Sequence, residues 1–415
     1  MMQKYDSYKD SGVQWLGEIP SHWEVIKTSR VFTKIGSGTT PESGREDYYS
    51  EDGFHFLQTG DLNDAIINDT AKKITEKALR DKNLKIYPQG SLVVAMYGAT
   101  IGKLGLLDID TTVNQACCVL AETNKMFMKF AFYVFFSAKR DLIFQCKGGG
   151  QPNISQDTIR NEKIPVPPLS EQSSIAAYLD GQTARIDTAI AQQQKMIDLL
   201  NERKQIIINR AVTKGLNPNA KMKDSGVEWI GEVPEGWEER RMRYLCKITT
   251  GDKDTINRVD DGKYPFYVRS PKVERINSYT FDGEAVLMAG DGVGAGKVFH
   301  YVNGRFGCHQ RVYIFHHISK VLGKYLYYYM QTKFKYVIEQ LSAKSTVDSV
   351  RLNMIQDFIV LIPPIEEQQR IVDFISAEVS KIDTAINRLN QMISLLQERK
   401  QIIINEVVTG KVKVC

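Results

Sequence analysis

Cysteine is scarce and not placed for pairing. The six cysteines in 415 residues (Cys117, Cys118, Cys146, Cys246, Cys308, Cys415) contain no CxxC. That excludes a disulfide framework and the usual zinc spacings, and the six read as free thiols of a cytosolic protein. The six histidines show no HExxH, and His316-His317 reads as a surface pair at a strand end rather than a ligand set. No serine stands in a GxSxG elbow, and there is no NPPY, DPPY or DEAD-type run, so the chain lacks the marks of a catalyst and no cofactor or metal is expected. Long apolar runs are missing too: the most apolar, Met126 to Ala138, contains Lys129 and is too short to span a bilayer. The polar start MMQKYDSYKD is not a leader, so a cytoplasmic protein with no membrane partner is expected. Nor is there a strong excess of one charge. A net +5 from 54 basic and 49 acidic residues permits nucleic-acid binding without arguing for it, and any basic surface must come from local clustering.

Two glycine-rich stretches invite a nucleotide reading and fail it. In Gly290 to Lys297 (GDGVGAGK) a P-loop requires glycine where Asp291 stands and Ser or Thr where Val298 stands. The sister stretch Tyr97 to Gly105 (YGATIGKLG) fails at Tyr97 and Leu104, and neither has a dinucleotide-binding GxGxxG between strand and helix.

What the chain does have, it has twice. Leu199 to Asn209 reads LLNERKQIIIN and Leu395 to Asn405 reads LLQERKQIIIN, flanked by ARIDTAI (Ala184 to Ile190) and SKIDTAI (Ser380 to Ile386). Identity of that length means internal duplication. In the first copy Ile186, Ile190, Gln193, Ile197, Leu200, Lys204, Ile207 and Ala211 recur in alternating steps of four and three. Ile382, Ile386, Leu389, Ile393, Leu396, Lys400, Ile403 and Val407 repeat the pattern in the second. This is a heptad seam, read as two long helices packed on each other, each a rod of roughly 45 Å for about 30 residues. Lys204 and Lys400 on the seam either snorkel over it or pair with Glu202, Glu398 or a partner subunit and fix the register.

A second repeat opens each half: DSGVQWLGEIP from Asp10 and DSGVEWIGEVP from Asp224, each followed by a further tryptophan, Trp23 or Trp237. All four tryptophans lie here, anchoring either the fold or a partner. The motif copies start 214 residues apart (10 and 224) and the helix copies 196 apart (202 and 398), so the first variable region is 18 residues longer. Within the variable regions, roughly 25 to 165 and 239 to 360, short apolar runs ending in glycine (Ser91 to Gly98, Glu284 to Gly292) predict strands entering turns. NQACCVL and HQRVYIF predict second strands, and the aromatic runs after them predict a helix in each half. Proline pairs in IPVPPLSEQ and VLIPPIEEQ stop these domains. Ser170 is a candidate helix N-cap, and Asp180-Gly181 a break before the rod, with a softer one at Ser376-Ala377.

Taken together, KIGSGTTP (Lys34 to Pro41), GATIGK (Gly98 to Lys103) with Asn114-Gln115, PPLSEQ, PPIEEQ and the duplicated ERKQIII helices resemble the specificity subunit of a Type I restriction–modification enzyme, over nearly the whole chain. The resemblance implies a mixed α/β (α+β) chain. Its two small target-recognition domains, 1–168 and 216–364, are separated by conserved helical regions, 169–215 and 365–415. These regions pack as an antiparallel coiled coil with pseudo-two-fold duplication. It implies a non-catalytic subunit that reads a bipartite, asymmetric target in double-stranded DNA. Two methyltransferase subunits and motor-nuclease restriction subunits would assemble on this frame and hold the catalytic residues. A rod near 45 Å slightly exceeds the 34–36 Å of a DNA turn, giving a gap of roughly half a turn between half-sites.

The expected DNA-binding residues of the first domain are Lys34, Ser37, Thr39, Thr40 and Arg45 in the glycine-rich loop, with Lys103, Gln115, Gln151 and Asn153 in or beside other turns. In the second they are Lys253, Arg258, Arg269, Lys272, Lys297, Gln310, Arg311 and Lys344. Arginine on guanine and Asn or Gln on adenine would read bases, and lysine would mostly hold phosphates. The competing reading for each is a solvated surface side chain. For the whole chain the competitors are a coiled-coil assembly scaffold without direct DNA reading, which the modest charge favours, and a nucleotide-dependent enzyme, for which only the glycine loops speak.

Overall fold

The structure, a computed structural model, describes residues 3–145, 153–342 and 349–414. The chain divides into two compact units: residues 1–192 with 392–415, and residues 193–391. Each unit contains one variable region and a stretch of both long helices.

In the first unit a five-stranded sheet runs in the order Lys34–Ser37, Cys117–Ala121, Leu92–Ala95, Leu104–Leu107, Ala65–Ile67. All neighbours are antiparallel except the last pair. The second unit repeats the plan with six strands: Lys247–Thr250, Val312–His316, Phe281–Ala289, Phe299–Cys308, Tyr264–Tyr267, Glu274–Ile276. One face of each sheet is covered by an aromatic helix, Met128–Phe144 or Gly323–Ser342. Strands Leu92–Ala95 and Cys117–Ala121 are buried at every residue, which explains their unbroken apolar sequence where a half-exposed strand would alternate. His316, expected at the surface, is instead 8% exposed at a strand end beside Phe281, where only its neighbour His317 faces out.

The two long helices run Leu169–Lys214 and Ile365–Val408 without interruption. The expected breaks at Asp180-Gly181 and Ser376-Ala377 are absent. One glycine in a helix interior costs only about 1 kcal/mol, less than the burial of Ile175, Leu179 and Ile186 around it contributes. Ser170 lies within the first turn and not at the cap: the N–H groups of Glu171 and Gln172 donate to the Pro168 carbonyl. Of the seam residues, Ile186, Ile197, Ile382 and Ile403 are buried, while Ile190, Leu200, Ile207, Ile386, Leu389, Ile393 and Leu396 are half-buried. Lys204 reaches Asp383 (2.8 and 3.1 Å) in the second unit, and Lys400 reaches Asp187 (2.7 Å to each oxygen) in the first. As one helix number rises the other falls, so the helices are antiparallel. The lysines do pair, but with aspartates across the seam and not with Glu202 or Glu398.

The repeated motifs hold this frame through their side chains. Trp23 is fully buried and donates from Nε1 to Glu171 (3.1 Å); Trp237 is 2% exposed and donates to Glu367 (3.2 Å). Gln172 and Gln368, both fully buried, join three backbone groups each. Gln172 accepts from the Phe127 N–H and donates to the Lys125 and Pro167 carbonyls. Gln368 does the same at Leu322, Lys320 and Pro363. Each long helix ends on a left-handed glycine, Gly215 (φ 70°) or Gly410 (φ 72°). A β-carbon there would lie 3.2 Å from Trp237 or 3.1 Å from Trp23.

Candidate nucleic-acid interface

In both units, loops from separate parts of the variable region are tied together at one end of the sheet by backbone hydrogen bonds. In the first unit Met96 N donates to Ala116 O, Ile154 N to Met96 O and Gly38 N to Asn114 O. In the second, Gly290 N donates to Arg311 O and Val350 N to Gly290 O. The bridges Tyr97 to Asn153 and Asp291 to Ser349 repeat the match. So do Asn114 N to Leu57 O and His309 N to Tyr267 O. Hence Met96 corresponds to Gly290, Tyr97 to Asp291, Ala116 to Arg311 and Leu57 to Tyr267. The glycine turns match as well: Gly98 and Gly102, like Gly292 and Gly296, have φ between 63 and 87°. Such conformations let the chain reverse with little side-chain bulk, and they leave Lys103 and Lys297 at equivalent turn positions.

Close approach explains the first glycine loop. A β-carbon on Gly38 would lie 1.6 Å from the Val113 carbonyl oxygen, and one on Gly251 would lie 2.1 Å from that of Cys308. Thr40 therefore sits over the 114–116 turn, where its hydroxyl bonds the Gln115 amide oxygen. Thr39 and Gln115 are exposed, Ser37 and Lys103 half-buried, and Asn153 exposed beside Tyr97. These residues, from four chain segments, are brought together. Lys34 lies lower, on its strand, paired with Glu122 (3.2 Å). Arg45 stacks on Tyr48 and pairs with Asp47 (2.7 Å). Together with Lys77 its guanidinium holds the Asp47 carboxyl well below the usual range. No described contact joins Arg45 to the 98–103 or 114–116 turns. Gln151 lies outside the described residues.

In the second unit Lys253, Lys297, Gln310, Arg311 and Arg269 gather around the matching loops, most of them met by carboxylates. Lys253 pairs with Asp252 (2.9 Å), Gln310 donates to Asp254 (3.2 Å), and Arg269 and Arg311 approach Asp291 (3.1 and 3.6 Å). Among the described residues Lys297 has no ion pair. Beneath them His309 is 3% exposed. Burial, then the nearby Arg269, holds its imidazole below the ordinary range, so it stays neutral and Nδ1 accepts from the Arg311 N–H (3.0 Å). Arg258 and Lys272 are separate, grouped about Glu274 (3.6 and 3.9 Å). Lys344 lies outside the described residues. Exposed pairs of this kind contribute about 0–1 kcal/mol, so a phosphate or base can displace them.

Sequence reasoning missed Asp254, Asp291 and His309, because a search for DNA contacts favours cations and amides. The available signal was Asp291 lodged between two glycines. Among the described residues no cluster of His, Cys, Asp or Glu fits a metal ion.

The family of the Type I restriction modification DNA specificity domain matches residues 20–197 and again 234–394. The chain is 26% identical to the Type I restriction enzyme MjaVIII specificity subunit of Methanocaldococcus jannaschii, over 95% of this chain and 94% of that one. It is 22% identical to the StySPI specificity subunit of Salmonella potsdam, over 95% and 90%. Among solved structures, a chain from work on complex assembly and conformational transition of the type I R-M system superposes with a TM-score of 0.68. It is 16% identical and covers 94% of this chain and 98% of that one.

Proposed function

This chain belongs to the family of Type I restriction–modification DNA specificity subunits, and we propose that its two loop clusters read the two halves of one bipartite, asymmetric duplex target. As a specificity subunit it is itself non-catalytic. The observation that carries the proposal is the pair of clusters: equivalent backbone hydrogen bonds present different side chains. A frame duplicated with its readout changed suits two unlike half-sites. In this reading residues 1–168 and 216–364 recognise DNA, and 169–215 and 365–415 act as spacer. Lys103, Lys297 and Lys253 hold phosphates, while Thr39, Thr40, Gln115, Gln310, Arg269 and Arg311 face bases.

Assembly with two methyltransferase subunits and with restriction subunits is part of the same proposal. It is supported by apolar side chains that the seam leaves uncovered. Met196, Leu199 and Ile206 are 49–57% exposed on the first helix, and Met392, Leu395 and Ile402 are 48–59% exposed on the second. They sit at equal positions of the duplicated sequence, as two copies of one partner require. A cytoplasmic location fits that assembly; no described helix is long and apolar enough to cross a membrane.

A gel shift on duplex DNA across a salt series, with and without a co-expressed methyltransferase partner, tests the reading. Affinity is expected to fall linearly in log salt. Absence of binding under every condition leaves the scaffold reading, which the ion-paired basic residues favour. One heptad added to both long helices lengthens each by about 10 Å. It is expected to widen the gap between half-sites by about three base pairs. An unchanged gap in the methylated motif overturns the spacer role.

A further inference from the structure

The equivalence of the two clusters separates what they share from what they do not. Shared are the lysine of the glycine turn (Lys103, Lys297) and the glutamine of the next turn (Gln115, Gln310). Not shared is a group of three. Counting from the matched backbone bonds, Asp291 stands where the first unit has Tyr97, and Arg311 where it has Ala116. Arg269 stands two residues past Tyr267, where the first unit has Thr59 two past Leu57. A shared residue on a shared backbone cannot tell two half-sites apart; the substituted ones can.

The three second-unit residues form one object. Arg269 Nη1 lies 3.1 Å from one oxygen of Asp291, and Arg311 Nε lies 3.6 Å from the other. Asp291 is the sheltered member, its side chain 21% exposed against 45% for Arg269 and 65% for Arg311. Its backbone is fixed by the bridge to Ser349 and by the Gly290–Arg311 and Val350–Gly290 bonds on either side. An aspartate held this way accepts a hydrogen bond from Arg269 and draws Arg311 toward it by charge, while each guanidinium keeps N–H groups for another acceptor. A guanidinium so oriented matches the O6 and N7 acceptors of guanine in the major groove, and one bidentate contact discriminates by about 1–3 kcal/mol, roughly 10- to 100-fold.

We propose that Arg311 and Arg269, positioned by Asp291, make the second unit demand guanine within its half-site, and that the first unit, with Thr59, Tyr97 and Ala116 in their places, makes no such demand at the equivalent position. The proposal rests on the DNA-reading function above and adds the class of base read. Asp291 is a positioning residue and the arginines are the contacts.

The test is selection of bound sequences from a randomised duplex library by the full chain with its co-expressed methyltransferase partner. Wild type, Arg311→Gln, Arg311→Lys, Arg269→Gln, Asp291→Asn and Asp291→Glu are compared. Wild type is expected to select a bipartite motif with guanine in one half. Arg311→Gln and Arg311→Lys are expected to lower the preference at one position from about 10- to 100-fold to nearly none, leaving the other half-site unchanged. The lysine variant keeps the charge and loses the fork, so it isolates geometry from electrostatics. Asp291→Asn is expected to blur the same position and Asp291→Glu to restore it, which a merely structural role would not produce. Selection of no motif by wild type overturns the DNA-reading function itself. A wild-type motif left intact by all three arginine variants overturns only the present proposal. A uniform loss of affinity with a shallower salt slope also overturns it, by making the arginines phosphate contacts. So does a shift at cytosine caused by Asp291→Asn alone, by making the carboxylate the reader.

Discussion

Replacing Gln172 by leucine is the sharpest test of how the frame is held. The side chain has no exposure and joins three groups: the Phe127 N–H (2.7 Å), the Lys125 carbonyl (2.9 Å) and the Pro167 carbonyl (2.8 Å). Phe127 caps the helix Met128–Phe144, so its N–H has no acceptor within the helix. Leucine fills the volume and removes the partner of one donor and two acceptors, the Pro167 carbonyl in a buried contact and the Phe127 N–H and Lys125 carbonyl in part-buried ones. At about 1–3 kcal/mol for the buried orphaned carbonyl and less for each of the two groups that water can reach, the cost is roughly 2–4 kcal/mol. That is a large share of the 5–15 kcal/mol typical of a folded domain. With about 2–4 °C of melting temperature per kcal/mol for a unit of this size, a fall of roughly 4–16 °C is expected. Scanning calorimetry of the full chain measures it, and amide hydrogen exchange shows whether loosening is confined to the first unit. Gln368→Leu is expected to do the same in the second unit, where Leu322, Lys320 and Pro363 lose their partner. A melting temperature within 2 °C or so of wild type for both variants would refute the reasoning, since a buried carbonyl and two part-buried groups left without partners cannot be that cheap.

Three further outcomes follow from single contacts. Lys204→Glu sets two carboxylates together at Asp383 and is expected to cost about 1 kcal/mol; adding Asp383→Lys is expected to recover most of it in chemical denaturation, and no recovery would deny the pair a role in helix register. Gly410→Ala forces a β-carbon 2.3 Å from Pro20 and 3.1 Å from Trp23 at φ 72°, so a loss of about 2 kcal/mol or more is expected; equal stability would mean that the helix end is not seated on the tryptophan. Glu162 is 5% exposed and accepts from Trp15 Nε1 (2.7 Å) and Gln145 Nε2 (3.0 Å), and burial raises its pKa above the ordinary value of 4.5. A raised folded pKa means that the group's contribution is complete below about pH 4.5 and is lost as pH rises through the folded value. Glu162→Gln, which keeps an acceptor for Trp15, is therefore expected to raise the melting temperature at pH 8 and leave it unchanged at pH 4; the opposite pH dependence would refute burial as the cause.

Periodicity and duplication made the scaffold legible, because seam spacing and strand-to-turn runs are local properties of sequence. The long helices were legible in kind but not in extent. Gly181 read as a break, yet its cost is small beside the packing on both sides, which involves residues far away in the chain. The same distance hid the partners of Lys204 and Lys400: Asp383 and Asp187 lie 179 and 213 residues off, and only the antiparallel register brings them close. At the loop clusters the glycines and the residue types were visible. The grouping was not, since Asp291 meets Arg269 and Arg311 through turns whose geometry depends on backbone bonds between segments.

The two copies also show which side chains the fold can spare. Where a side chain does the tying, the copies agree: Trp23 and Trp237, Glu171 and Glu367, Gln172 and Gln368. Where the backbone does the tying, they differ: Tyr97 and Asp291, Ala116 and Arg311. These positions are fixed by main-chain bonds that any residue but proline can make, whatever side chain each presents. A reader built this way can therefore change its letters without refolding, and each unit can change them alone. Trp15 and Trp229 mark the limit of that freedom. The first donates to buried Glu162 and the second stacks on Phe358 at 5.6 Å, so here the copies diverged beneath the surface with one contact replacing another.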